Sequence, residues 1–223
     1  MPFVYSTVIP GTGAGVDSSA AIPLAPVGRW MRPHGSDLGQ SGAAINQTRH
    51  VIPRHLQYVP FKPQYDMTFD QIGIMFYDLN SCVDAWYYKL GLYASADNYP
   101  STLVADFGTV SVDPAIPTAP GALTLPVSNQ ALTGNQLYFL AIGVNQSGGT
   151  DGSAGRTPKM AMINGDFVNM RRRGMTSAAA GMDGVSWLEQ LNSFGGTFPA
   201  STSYANVAAG SNWAIRPTIR RSA

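Results

Sequence analysis

From Leu56 onward apolar and polar positions alternate with a period of two, the mark of a strand with one buried face. "LQYVPF" (56–61) reads as a short strand closed by Pro60 and Pro63. "MTFDQIGIMFYD" (67–78) places Ile72, Ile74 and Phe76 on one face. "VDAWYYKLGLYAS" (83–95) places Trp86, Tyr88, Leu90 and Leu92 on one face and Tyr87, Lys89 and Tyr93 on the other. "LVADFGTVSV" (103–112) returns after the loop "ADNYPST", whose Asp97, Asn98 and Pro100 favour turns. "GALTLPV", "QLYFLAIGVN" and "PKMAMIN" follow, the first two separated by the turn "TGN" at 133–135. "NWAIRPTIRR" (212–221) reads as one last strand, with Pro217 pointing to an edge. "GVSWLEQLN" (184–192) reads as one helical turn.

Seven or eight strands with turns at regular spacing predict an all-β, antiparallel, jelly-roll-like β-sandwich. No repeat of 20 to 50 residues suggests a solenoid or propeller. Residues 29–55 are polar and turn-rich, with room for one or two short strands. Residues 1–28 differ again. They carry one charge, Asp17, and prolines at 2, 10, 23 and 26 that rule out a helix. Phe3, Val4, Tyr5, Val8, Ile9, Ile22 and Leu24 nevertheless want burial. An extended apolar segment that has no core of its own reads as an arm lying along a neighbouring subunit. The expected organisation is an extended N-terminal arm and linker over residues 1–55 and a sandwich over 56–223. Trp30 joins Phe3, Tyr5, Val8, Ile9, Ile22 and Leu24 as candidate docking residues.

Composition narrows the picture. The chain has 223 residues, and 44% of them are hydrophobic, so it should fold and bury a core. Only 12% are charged, and glutamate occurs once, at Glu189. A surface so poor in charge suits a protein partly covered by neighbouring subunits. The net charge of +1 offers no global field for nucleic acid or a membrane surface, and neither is expected as a partner. The single cysteine, Cys82, excludes an internal disulfide and reads as a small buried filler. The N-terminus shows no signal-peptide pattern, and no apolar run approaches the ~18 residues of a membrane span.

Three stretches carry a resemblance. They are "FKPQYDMTFDQIGIMFYD", "YYKLGLYASADNYPSTLVADFGTVSV" and "LTLPVSNQALTGNQLYFLAIGVNQ". Together they resemble a β-sandwich domain of tailed-bacteriophage virion proteins. Thr68, Asp70, Ile72 and Gly73 match its first strand, with Gln71 where arginine is usual. Leu90, Gly91, Tyr93, Pro100, Leu103, Asp106, Gly108, Thr109, Val110 and Ser111 match its central hairpin. Tyr138, Leu140 and Ala141 match a later strand, with Phe139 in place of tryptophan. The ending "GGTFPASTSYANVAAGSNWAIRPTIRR" is similar to its closing segment. The resemblance covers residues 56–220 and brings no catalytic residues with it. It implies a virion structural protein, tail-fibre or baseplate associated, that contacts other virion proteins and assembles as a homo-oligomer, with a trimer as the expected form. Such a protein is assembled in the host cytoplasm and exposed on the extracellular particle. A capsid decoration or head fibre is the first alternative, and a glycan-binding receptor module the second.

Little in the sequence points to catalysis, and no enzyme activity, cofactor or metal is expected. "GTGAG" (11–15) lacks the strand–turn–helix context of a phosphate loop. There is no G-x-S-x-G, and the aspartates mostly flank strands. His34, His50 and His55 read as surface or interface residues. The candidate contacts with host surface polysaccharide, or with a partner, are Tyr87, Tyr93, Asn98 and Tyr99. Arg171, Arg172 and Arg173 form the one dense basic run, a candidate polyanion or intersubunit contact within a long loop.

Overall fold

The structure is a computed structural model, described here for residues 26–31, 48–50, 54–78, 85–97, 99–112, 121–146, 158–164, 188–190, 194–202, 206, 208–209 and 213–222. No α-helix occurs among them. The strands in chain order are β1 (Trp30–Met31), β2 (Thr48–His50), β3 (Leu56–Phe61), β4 (Met67–Asp78), β5 (Trp86–Ala96), β6 (Tyr99–Val112) and β7 (Gly121–Leu132). They continue with β8 (Tyr138–Gln146), β9 (Lys159–Asn164), β10 (Leu188–Gln190), β11 (Ala208–Ala209), β12 (Trp213–Ile215) and β13 (Pro217–Arg221).

Two antiparallel sheets face each other. Eight strands make their frames, β1-β13-β4-β7 in one sheet and β3-β8-β5-β6 in the other. The short strands β9, β12 and β2 extend the first sheet, and β10 and β11 extend the second. The expected all-β antiparallel sandwich is therefore the fold. β1 and β2 arise within the turn-rich segment 29–55 and pair with β13 and β9, so part of that segment belongs to the first sheet.

The period-two reading locates the core. Trp86, Tyr88, Leu90 and Leu92 of β5 point between the sheets and are fully buried. They meet Ile72, Ile74 and Phe76 of β4, with Ile219 of β13 in the same cluster. Fully burying an aliphatic or aromatic side chain of this size contributes about 1.5–3 kcal/mol. This row fixes the register, because a slip of one residue would turn it to the opposite face.

Four sequence expectations need correction. The last strand is two strands, and β13 lies between β1 and β4 rather than at an edge. Pro217 fits there because it is the first residue of β13, where its missing N–H breaks no ladder. Pro60 does not close β3 but sits inside it, opposite Phe139. The flank of β3 facing β10 is paired only at Leu56–Tyr58, so Pro60 lies beyond that ladder. Leu188–Gln190 is a strand paired with β3 and β11, not part of a helical turn, because pairing partners from distant segments outweigh a local pattern. Most of the loop expected at 96–101 is strand, with Ala96 ending β5 and Tyr99 opening β6. Ala96 pairs with Tyr99, and Asp97 takes a left-handed φ of 51° that aspartate tolerates better than most residues.

Candidate functional site

Both faces of the second sheet are occupied near its centre. Behind the main core lies a second cluster of Leu56, Tyr58, Tyr93, Phe139, Ala141, Phe194 and Phe198. The segment 194–202 builds it by crossing the outer face as a strap. Phe194 N donates to the Arg54 carbonyl (3.2 Å), Leu103 N to the Ala200 carbonyl (3.0 Å) and Thr202 N to the Ser101 carbonyl (2.7 Å). The Tyr93 hydroxyl donates to the Pro199 carbonyl at 2.6 Å. Beneath the strap two glycines open the sheet. A Cβ on Gly91 would come within 2.6 Å of the Phe198 ring, and one on Gly143 would overlap the Phe194 ring. Glycine inside a strand marks such a close approach.

This arrangement revises the aromatic candidates. Tyr93 is fully buried, edge-on to Tyr58 (5.2 Å between ring centroids) and to Phe198 (6.1 Å). Burial pushes both tyrosine hydroxyls up, Tyr58 to about 12 and Tyr93 further. Tyr87 remains exposed and Tyr99 is half-buried against the second cluster, so Tyr87 and Tyr93 form no shared platform. Tyr93 lies under the strap, whereas Tyr87 on the same strand stays exposed. Lys89 lies between, with its ammonium 2.8 Å from Asp106 and 5.6 Å from the centre of the Phe198 ring.

Asn98, the arm residues Phe3, Tyr5, Val8, Ile9, Ile22 and Leu24, and the run Arg171, Arg172 and Arg173 lie outside the described residues. Trp30, grouped with the arm from sequence, sits instead in β1, paired with Arg220 and 42% exposed.

Among the described residues, one flank of the sandwich is open. β6 and β7 are the outer frame strands of the two sheets on this side. Their core-facing Ala105, Phe107, Leu123, Leu125 and Val127 pack against the main core yet are only half-buried. Phe107 meets Phe69 edge-on at 5.6 Å. Neither strand is a regular template for another strand. The β5–β6 ladder shifts register three times, and β7 carries Pro126 and a register break against β4. Bulges and proline are devices that discourage edge-to-edge pairing.

The outer face of the first sheet holds a groove of about 300 Å³ lined by Trp30, Met75, Ala122, Arg216 and Thr218. Gly73 is buried between Thr124 and Thr218, and the Thr218 hydroxyl donates to its carbonyl at 3.3 Å. Beside Trp30, Arg220 clasps Asp70 through two bonds, Nε to Oδ1 at 2.8 Å and Nη2 to Oδ2 at 2.7 Å. That hydrogen bonding holds the Asp70 carboxyl below its usual range and raises Arg220. Trp30 and Arg216 come from opposite ends of the chain, so no local spacing signalled the groove.

His55 is buried, contrary to the surface reading, because the residue precedes β3 and its carbonyl is tied to Val144 N at 2.9 Å. Desolvation lowers its pKa from 6.5. The unfolded chain then binds the extra proton first, so this contribution is intact above pH 6.5 and is lost as pH falls below it. Melting temperature is expected to drop between about pH 7 and pH 5, and His55→Gln to flatten that part of the profile. An unchanged slope would place the titration elsewhere.

Among the described residues no group of three or more His, Cys, Asp or Glu is placed to hold a metal, and no helix is long and apolar enough to cross a membrane. Compared with known proteins, the chain matches no family model and no curated protein sequence.

Proposed function

We propose that the chain is a structural component of a tailed-bacteriophage particle, tail-fibre or baseplate associated, assembled as a homo-oligomer. The observation that carries the assembly reading is the open flank, where core-facing side chains of β6 and β7 stay half-exposed. β6 has 14 residues and β7 has 12. At about 3.3 Å per residue and about 10 Å between sheets, the flank offers a strip of roughly 400 Å². A stable specific contact needs about 800 Å² per partner. The flank alone falls short, and the apolar segment spanning Phe3 to Leu24 is the natural source of the remainder. The low charge of the chain, 12%, agrees with a surface largely covered in the assembly.

Strand order supports the virion reading at the level of fold. Following the chain, strands alternate between the two frames except at the β5–β6 hairpin. The order β1-β13-β4-β7 facing β3-β8-β5-β6 supports a jelly-roll reading of the sandwich, an architecture that recurs in viral shell and lectin domains. Fold alone does not assign function. The assignment to phage rests on the likeness of residues 56–220 to tailed-phage virion domains. Sedimentation of the full chain tests the assembly. A defined oligomer, a trimer by the same likeness, is expected at micromolar concentration, and a monomer there would count against the reading.

A further inference from the structure

We propose that the open flank is the seat of the N-terminal segment of a neighbouring copy, so that the chain assembles head to tail. The proposal rests on the assembly reading above and names the two surfaces that meet. The half-buried row of Ala105, Phe107, Leu123, Leu125 and Val127 calls for an apolar partner. β7 has no charged residue, and the single charge of β6, Asp106, is neutralised by Lys89 at 2.8 Å. Residues 3–16 are equally free of charge. Two such surfaces meet without desolvating a carboxylate or an ammonium group. The backbone of the flank suits insertion of side chains better than a ladder. Register shifts in β6 and Pro126 in β7 spoil the template for an added strand. A partner that enters with its side chains does not need that template. In extended form residues 3–9 would place Phe3, Tyr5 and Ile9 on one face, able to enter between the sheets. An extended stretch as long as β7, 12 residues, reaches about 40 Å and can follow the whole flank.

Area selects this occupant over the same flank of a second copy. Flank against flank buries about 400 Å² per copy, against the roughly 800 Å² that a stable contact needs. In a head-to-tail contact each copy buries both its flank and its segment, which doubles the area. Position selects a neighbour over the same chain. The described residues begin at Pro26, whose carbonyl accepts from Arg29 N just before β1. β1 and β7 are the opposite outer strands of the first frame, about 14 Å apart. The segment therefore starts on the side away from its own flank. Donor and acceptor are unlike surfaces on opposite sides, an arrangement that propagates from copy to copy and closes into a ring.

Complementary variants of the full-length chain test it. Phe3→Asp, Tyr5→Asp and Ile9→Asp together spoil the segment and leave the flank. Leu125→Asp spoils the flank and leaves the segment. Each variant alone is expected to be a monomer by light scattering. An equimolar mixture is expected to form a dimer with one copy of each and nothing larger, because one working segment and one working flank remain. A mixture that stays monomeric overturns the proposal, as does an oligomer of Leu125→Asp alone. A second measurement does not depend on the folding of Leu125→Asp. Benzoylphenylalanine in place of Phe107 keeps a ring at that position and is irradiated in the assembled protein. Covalent dimers are expected, with the cross-linked peptide from residues 3–14 of the other copy. No link, a link within one copy, or a link to any other segment overturns the proposal. An unsubstituted chain that is monomeric sinks the assembly reading itself, whereas an unsubstituted oligomer with any of these contrary results sinks this proposal alone.

Discussion

Gly143→Val is expected to destabilise the fold by about 3–5 kcal/mol, a large part of the 5–15 kcal/mol typical of a domain. Intrinsic strand preference argues the other way, since valine favours strands over glycine by up to about 1 kcal/mol. Sterics should win. A Cβ at Gly143 would occupy the place of the Phe194 ring, so the ring must leave its seat between β8 and the strap. Phe194 is buried and packs against Phe198, which in turn fills the gap over Gly91. Displacing the first ring therefore loosens the second and uncovers Tyr93 and Phe139. Urea unfolding measures the loss. Phe194→Ala alone should cost about as much, and adding Gly143→Ala to it should cost little more, because the ring it would strike is gone. Additive effects, or a neutral Gly143→Val, would mean that Phe194 does not sit on this face.

The second large effect concerns assembly. Substituting Phe3, Tyr5 and Ile9 together with aspartate in the full-length chain is expected to reduce the oligomer to monomer without lowering the melting point of the sandwich. Burying one unpaired carboxylate at an interface costs several kcal/mol, and three exceed what a contact of about 800 Å² can offset. The unchanged melting point follows from reading residues 1–28 as an arm on a neighbouring subunit rather than as part of the sandwich. Light scattering gives the mass and calorimetry the stability. An intact oligomer would show that assembly does not need the apolar segment. A monomer with a sharply lowered melting point would show that the segment packs on its own sandwich.

Much of the fold was legible because it is local. The limits of β3 and β4 coincide with the strands read from periodicity, and the inner row from Trp86 to Leu92 needed only alternation. Long-range contacts were not legible. Tyr93 looked exposed because nothing near it in sequence announces a strap a hundred positions later, although Gly91 and Gly143 inside strands were the available hint. Pro217 misled for a related reason. A proline inside an apolar run signals either an edge or a strand start, and only the pairing with β4 decides between them. The groove is the extreme case, since Trp30 meets Arg216 and Thr218 only through the order of β1, β13 and β4.

Cross-linking mass spectrometry on purified phage particles tests the central claim most directly. Lys62 lies just past β3 and, with the N-terminal amine, anchors links on either side of the apolar segment. The account predicts that the chain remains on washed particles at fixed stoichiometry, with links between copies and links from the N-terminus to tail-fibre or baseplate proteins. Links to the major shell protein instead would move it to the capsid surface. Absence of the chain from washed particles would contradict the structural role itself.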